Sequence, residues 1–243
     1  MSRYLIADLV IDIKTKYGFT PKIMADYAYC GKCKTDFSVI VTDSMINAEK
    51  EISNAVYSDD YCETLAVLRS ICGEILSSYD GFLLHCSSLV MDGRGYIFTA
   101  PSGTGKSTHS RLWRECFGQR VKMINDDKPF LRRENGRFFI YGSPWQGKEN
   151  IGSNIKAPVS AICVLKQGKE NKIAPLEPVK ALCELMNQTE LPKDRRSMEN
   201  LLDLFDGLLK IVPVYIMECT ISQEAAEIAY NTIKTTPEQF RHN

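Results

Sequence analysis

The sequence predicts an α/β fold, and three observations support this class. The 243 residues are 44% hydrophobic and 25% charged, close to the roughly 45–50% and 25% of ordinary globular domains. Short apolar runs typical of strands alternate with segments whose apolar residues recur at helical spacing. A glycine-rich loop at 100–105 joins an apolar strand to the start of a helix. Such alternation is typical of a sheet covered by helices.

The chain is expected to divide near residue 80. Residues 1–80 are predicted to form a small α+β unit, and residues 81–243 a larger α/β domain. Within the first unit, apolar and polar residues alternate across 9–14 and again across 37–41, which predicts two strands.

Two helices are predicted to complete the first unit. Ser44 is placed to cap a helix that runs to Ile52. Asp60 and Glu63 resemble a capping box at the start of a second, longer helix.

The larger domain is predicted to alternate strands and helices around sharp turns. Its Asp92-Gly93 and Asn135-Gly136 pairs are typical of hairpin turns. In chain order we expect strands at 82–85, 89–91 and 96–99, a helix at 106–117, a strand at 121–125, a hairpin turning at 134–136, a strand at 159–165, helices at 179–187 and 198–211, a strand at 214–219 and a closing helix from Ser222.

The charge balance excludes some function classes. Thirty Lys and Arg residues balance thirty Asp and Glu residues, so no broad positive field attracts nucleic acid or an anionic membrane. No apolar run approaches the roughly 20 residues that span a bilayer. The first 13 residues carry Arg3, Asp8 and Asp12, unlike a signal peptide. We expect a cytoplasmic protein without nucleic-acid or membrane partners; the oligomeric state is left open.

Cysteine usage indicates reduced thiols. The nine cysteines are an odd number scattered along the chain, unlike a disulfide framework. Only Cys30 and Cys33 have the spacing of a metal or redox pair, and no second pair completes a four-ligand zinc site. We expect this pair to lie in a turn, without such a role.

The clearest motif is residues 100–108, which read Ala-Pro-Ser-Gly-Thr-Gly-Lys-Ser-Thr. It matches the phosphate-loop pattern, with Ala100 in place of the leading glycine. Glycines in such a loop let backbone N–H groups face an anion, and the following helix presents its positive N-terminus. Lys106 is expected as an exposed cation for the β and γ phosphates, and Ser107 as a Mg²⁺ ligand. The predicted ligand is a nucleoside triphosphate, ATP with Mg²⁺, bound by Ser102, Gly103, Thr104, Gly105, Lys106, Ser107 and Thr108.

A carboxylate pair, Asp126 and Asp127, follows the predicted strand at 121–125. Strand C-termini line the ligand crevice of such sheets, so we expect the pair beside the phosphate loop. Phosphoryl transfer to an alcohol uses one carboxylate as metal ligand and one as proton acceptor. Asp127 and Ser107 are the candidate metal ligands. The sequence does not decide which of the two aspartates binds the metal and which accepts the proton. The alternative is a solvated turn before Pro129.

Two further features are candidates for the site. His85 is predicted on the strand before the phosphate-loop strand, within reach of the site; a buried core histidine is the alternative. Residues 142–150 form a polar, glycine-bearing loop that suits a substrate- or base-binding lid, with Lys148 for transition-state charge. An ordinary exposed loop is the alternative.

Four segments taken together resemble the catalytic domain of the HPr serine kinase family, which is akin to ATP-dependent phosphoenolpyruvate carboxykinase. The resemblance covers about residues 80–165 and carries over His85-Cys86-Ser87-Ser88, the turn 92–95, the loop 100–108 and Asn125-Asp126-Asp127. It implies a P-loop kinase domain of the HPr kinase/carboxykinase type, with ATP and Mg²⁺ on residues 103–108. It also implies that the aspartate pair supplies base and metal ligand, and that His85, with Lys106, belongs to the catalytic set.

The chain also departs from that family. The arginine- and glycine-rich signature beyond the aspartates is absent, and residues 142–150 stand roughly in its place. The N-terminal unit is smaller than the one in those kinases. The acceptor is therefore expected to be a molecule other than HPr. The whole chain is more similar to small HPr-kinase-like proteins, some relatives of which phosphorylate peptides in modified-peptide pathways.

The favoured hypothesis is an ATP-dependent kinase that acts on a hydroxyl, such as a serine of a protein or peptide. The alternatives are a small-molecule kinase and a non-catalytic module that senses ATP. Transfer of phosphate to an acceptor separates a kinase from a sensor.

Overall fold

A computed structural model of the chain describes residues 1–53 and 55–234. The chain divides into two compact units, Met1–Tyr79 and Asp80–Asn243. Both combine helices and strands, so the predicted α/β class is confirmed as a mixed α/β architecture.

The first unit combines a three-stranded sheet with helices. Its strands are ordered β1-β2-β3, with β1 and β2 antiparallel and β2 and β3 parallel. In chain order the elements are β1 (Ser2–Ile6), β2 (Leu9–Lys14), α1 (Phe19–Ile23), β3 (Phe37–Ile40), α2 (Asp43–Ile52) and α3 (Asp59–Ser78).

Strand β1 was not predicted, and the reason lies in its turn to β2. Ala7 and Asp8 form this turn with φ of 51° and 58°. Positive φ at both central positions fits the twist of a hairpin but normally selects glycine or asparagine. Because the turn carries no glycine, it has no hairpin signal that a sequence pattern can detect.

The predicted cap of α2 is wrong by two residues. Thr42, not Ser44, precedes the helix, and its hydroxyl accepts a hydrogen bond of 3.3 Å from the Met45 N–H. Both residue types are good caps, so the pattern alone did not separate them.

The predicted capping box at the start of α3 is also wrong. Ser58, two residues before Asp60, precedes the helix, and no side chain caps it. Glu63 is fully buried and accepts hydrogen bonds from the Tyr17 N–H and the Thr20 hydroxyl. In a capping box this carboxylate would turn back toward Asp60. Here it is held instead by partners that are distant in sequence.

The second unit contains the larger sheet. In chain order its elements are β4 (Gly81–Leu83), β5 (Cys86–Met91), β6 (Arg94–Thr99), α4 (Lys106–Phe117), β7 (Val121–Asn125), β8 (Phe130–Glu134), β9 (Arg137–Tyr141), β10 (Lys156–Gln167), β11 (Lys172–Pro175), α5 (Pro178–Asn187), α6 (Arg195–Ile211), β12 (Val214–Cys219) and α7 (Gln223–Lys234). Both predicted hairpin turns are confirmed, with positive φ at Asp92, Gly93, Asn135 and Gly136.

The sheet order is β4-β8-β9-β10-β6-β5-β7, with β12 on β10 and β11 on β12. β10 pairs antiparallel with β9 through its first residues, and parallel with β6 and β12 further along. The change of partner curls the sheet at β10. β5 runs antiparallel to both β6 and β7, so β6 and β7 point the same way and end at the edge where β5 begins.

The helix after the glycine-rich loop is anchored in the core. Trp113 of α4 is fully buried, with ring centroids 4.9 Å from Tyr96, 5.4 Å from Phe98 and 6.0 Å from Tyr230 of α7. Its indole N–H donates to His109 Nε2 at 3.1 Å. This packing fixes the position of the N-terminus of α4 at the sheet edge.

Candidate functional site

The glycine-rich loop is a tight turn between β6 and α4. Gly103 and Gly105 have φ of 81° and 119°, a region that favours glycine. The Thr104 N–H donates to the Pro101 carbonyl at 3.3 Å. Gly105 directly precedes α4, whose first N–H groups have no partner within the helix. Backbone N–H groups without a partner in the helix therefore lie at the end of the loop.

Lys106 lies inside this turn and is buried, in contrast to the exposed cation predicted. It is 8% exposed, and its Nζ donates to the Ala100 carbonyl at 2.9 Å. Burial lowers the pKa of its ammonium group, while the nearby Cys86, Asp127 and Asp126 act in the opposite direction. The sequence identifies the lysine, but it does not predict that the loop buries this side chain.

The aspartate pair follows β7 and reaches the same sheet edge as the loop. Its two carboxylates have different surroundings. Asp126 is buried, and its Oδ1 accepts from the Ser87 hydroxyl at 2.5 Å. Asp127 is partly exposed, with Oδ1 3.4 Å from His85 Nε2 and Oδ2 accepting from Lys128 Nζ at 2.9 Å.

A buried pair of serines links the aspartate to the loop helix. Ser87 of β5 lies 2.5 Å from the hydroxyl of Ser110 in α4, and Ser110 donates to the Lys106 carbonyl at 3.2 Å. Asp126 is thus connected through Ser87 to the first turns of α4. Sequence reasoning named Ser87 only within a motif and missed Ser110, because pairing across distant segments creates this contact.

Asn125 shapes the turn that carries the aspartates. Its Oδ1 accepts from the N–H groups of Asp127 and Lys128, both at 2.8 Å. Its Nδ2 donates to the carbonyls of Ser143 and Trp145 at 3.0 and 3.2 Å. One fully buried amide therefore joins the aspartate turn to the loop at 142–150.

The lid interpretation of that loop is wrong for its first half. Residues 142–145 are buried, and Trp145 is 6% exposed. Gly147 lies against Asp126, since a Cβ there would meet Asp126 Oδ2 at 3.1 Å. This segment packs against the aspartate turn, and exposure begins only at Lys148.

His85 occupies the short link between β4 and β5, not a strand as predicted. Its backbone N–H donates to the Gln188 carbonyl at 2.8 Å. Burial lowers the pKa of its imidazole, helped by the charges of Lys106 and Lys128 and opposed by Asp127. A neutral imidazole beside the Asp127 carboxylate is the resulting state at neutral pH.

The remaining sequence predictions concern the cysteine pair, metal ligands and membrane spans. Cys30 and Cys33 are exposed free thiols of the first unit. Within residues 1–53 and 55–234, no three His, Cys, Asp or Glu side chains are grouped as a metal site. Ser107, the other candidate metal ligand, is exposed on the first turn of α4. None of the helices described is both long and apolar enough to span a bilayer.

Fold and site together define a mixed α/β protein with a glycine-rich loop, a lysine and a carboxylate pair at one edge of its sheet. The chain belongs to the family of SynChlorMet cassette protein ScmC, whose model matches residues 62–228. A search of curated proteins finds no match.

Among solved structures, the chain is similar to the HPr(Ser) kinase/phosphatase from Coxiella burnetii. The two share 15% identity over 63% of this chain and 88% of that chain, with a TM-score of 0.38. A likeness this distant carries no argument about function, so the resemblance to the HPr kinase family stays a prediction.

Proposed function

We propose that this protein is an ATP- and Mg²⁺-dependent phosphotransferase that acts on a hydroxyl acceptor, such as a serine of a protein or peptide. One observation carries the proposal: the loop with Lys106 and the pair Asp126/Asp127 lie at the same sheet edge, with strand β5 between their strands. Nucleotide binding alone does not require two carboxylates there.

The loop supplies the phosphate contacts in this proposal. Free N–H groups at the start of α4 and the backbone around Gly103 and Gly105 face the anion. Lys106 at present donates to a neutral carbonyl. A phosphate oxygen is a stronger, charge-assisted acceptor, so a triphosphate competes well for this ammonium group. Ser102, Thr104 and Thr108 add hydrogen-bonding groups to the same loop.

The side chains at this edge fit Mg²⁺. Mg²⁺ prefers hard oxygen ligands and keeps several from water and phosphate. The Ser107 hydroxyl and the Asp127 carboxylate are oxygen donors with solvent access. When bound, the metal ion would neutralise phosphate charge during transfer.

One carboxylate of the aspartate pair would take the proton of the acceptor hydroxyl. A general base must lie within hydrogen-bond reach of that proton. Asn125 fixes the backbone of the pair, Ser87 orients Asp126, and His85 lies beside Asp127. This set of contacts holds both carboxylates in position before an acceptor arrives.

ATP affinity of Lys106→Met tests the phosphate site. Methionine keeps most of the length of the side chain but removes its charge, so ATP affinity should fall by about tenfold or more. Lys122→Met, an exposed lysine at the other end of β7, is the matched control. Equal ATP affinity of both variants by calorimetry would remove the phosphate-loop assignment.

Transfer of γ-phosphate tests the reaction. Labelled ATP, Mg²⁺ and the protein should label an acceptor in an extract of the source cells, and Lys106→Met should not. A labelled peptide or protein supports the favoured acceptor, whereas a labelled small molecule indicates a small-molecule kinase. Tight ATP binding without transfer or hydrolysis would indicate an ATP-sensing module.

A further inference from the structure

A pocket of about 370 Å³ opens beside the glycine-rich loop. Loop residues 101–104 form one wall, and the end of β10, residues 164–167, forms another. Glu184 of α5 also lines it. Lys106 and the aspartates do not. The volume lies in the range of about 300–1,000 Å³ typical of small-ligand pockets.

The pocket and the aspartates lie on opposite sides of the loop. The loop follows β6, whose neighbours in the sheet are β5 on one side and β10 on the other. Asp126 and Asp127 follow β7, beyond β5. The register pairs Val164 with Thr99, so the end of β10 continues alongside the start of the loop. Gln167 there donates to the Thr104 carbonyl at 3.3 Å.

A triphosphate on the loop has two distinct ends. In a phosphate loop the lysine reaches the β and γ phosphates. Lys106 interacts electrostatically with Asp126, Asp127 and Cys86, all on the β5/β7 side. The γ-phosphate end therefore belongs on that side, where the acceptor must attack, and the nucleoside end belongs on the other.

We propose that the pocket between the loop, β10 and α5 is the subsite for the base and ribose of the nucleotide. This inference rests on the proposed function. Pro101 and the aliphatic stems of Lys166 and Gln167 are exposed in the pocket and offer surface for a base. Glu184 adds a carboxylate that accepts hydrogen bonds from ribose hydroxyls or a base amino group. Glu184 has no hydrogen bond or ion pair with any residue that the structure describes, so its acceptor capacity is uncommitted.

The test compares ATP with inorganic tripolyphosphate, which has the phosphates but no nucleoside. Glu184→Trp should fill the pocket and weaken ATP binding by about tenfold or more while leaving tripolyphosphate affinity unchanged. Lys180→Trp, on an exposed position of the same helix, is the matched control and should change neither. Both ligands are titrated with Mg²⁺ by calorimetry.

A smaller change guards against misfolding of the tryptophan variant. Glu184→Gln keeps the shape of the side chain and removes its charge, and it should weaken ATP but not tripolyphosphate. Unchanged ATP affinity in folded Glu184→Trp, or an equal loss for both ligands, overturns the nucleoside subsite. If the wild type binds ATP no better than tripolyphosphate, the subsite is overturned while the phosphate site stands. If it binds neither, both proposals fall.

Discussion

Asp126 and Asp127 are adjacent in sequence, yet one is buried against Ser87 and the other faces His85 and Lys128. The difference arises in the turn after β7, where Asn125 Oδ1 accepts from the Asp127 N–H and the Asp126 carboxylate accepts from Ser87. It makes the two carboxylates separable by experiment.

Asp126→Asn and Asp127→Asn should therefore fail in different ways. Loss of a metal ligand acts in the ground state, so that variant should need more Mg²⁺ to bind ATP. Loss of the proton acceptor should leave ATP and Mg²⁺ affinity intact but lower the transfer rate by about 10² to 10⁴. Nucleotide titrations at several Mg²⁺ concentrations and single-turnover transfer measure the two effects.

Asp206→Asn, an exposed position on α6, is the control for this pair. If both site variants match it in every assay, the pair is a structural turn. The proposed function would then be reduced to nucleotide binding.

His109 should make the stability of the protein depend on pH. It is 2% exposed, and burial lowers its pKa to about 4, against about 6.5 in an unfolded chain. As pH falls between these values, the unfolded state takes up a proton that the folded state does not. The contribution of His109 is thus complete above pH 6.5 and is lost toward pH 4, by about 3 kcal/mol.

Urea unfolding of wild type and His109→Gln at pH 7 and pH 5 checks this effect. Glutamine keeps an acceptor for the Trp113 N–H, and the carboxylates titrate alike in both proteins. The free energy of unfolding of the variant should fall less between the two pH values. Parallel curves would show that His109 is not the group responsible.

The sequence indicates which residues are candidates for the site but not their environment in the fold. The loop, the lysine and the aspartates carry local signals, because glycine spacing and strand ends can be read directly from the chain. The burial of Lys106, the Ser87–Ser110 link and the contact of Gly147 with Asp126 depend on tertiary pairing, which no local pattern encodes.

At the scale of elements, the sequence predicted those helices and turns that begin at residues with special backbone conformations. The turns at Asp92-Gly93 and Asn135-Gly136 were predicted because positive φ selects these residue types. The helix at 106–117 was predicted because it follows the glycine-rich loop. β1 and β11 (Lys172–Pro175) were missed. The turn after β1 contains no glycine. β11 is mostly exposed and has no apolar run.

Gly105, the positive-φ glycine before α4, permits a matched test of the loop. Gly105→Ala places a Cβ at φ 119° with nothing within 4 Å, so its cost of about 1–2 kcal/mol is purely conformational. Relief of that strain would redirect the loop N–H groups, and ATP affinity should fall. Calorimetry and thermal melting measure both effects.

Gly136→Ala provides the control, because φ there is 76° and the added Cβ again meets nothing within 4 Å. It lies in the β8–β9 turn. This variant should lose comparable stability and keep ATP affinity. Equal ATP affinity of the two variants would contradict a role of the loop backbone in binding.

At the scale of the whole molecule, every residue of the proposed site belongs to the second unit, Asp80–Asn243. That unit has its own buried core around Trp113, as an independently folding domain does. A fragment of residues 80–243 should therefore fold and bind ATP within about threefold of the full chain.

Circular dichroism followed by calorimetry tests this fragment. A folded fragment without ATP affinity would show that residues 1–79 contribute to the site. A fragment that binds ATP but no longer transfers phosphate would assign acceptor recognition to the first unit.

β5 pairs Cys86 with Thr99, which ends the strand before the loop, and Ser88 with Asn125, which precedes the aspartates. Adding or deleting one residue in this strand would turn Ser87 to the other face and displace one partner by about 3.3 Å. Substitution changes one contact, but an insertion moves both halves of the site at once. During evolution, β5 should therefore vary in residue type while keeping its length.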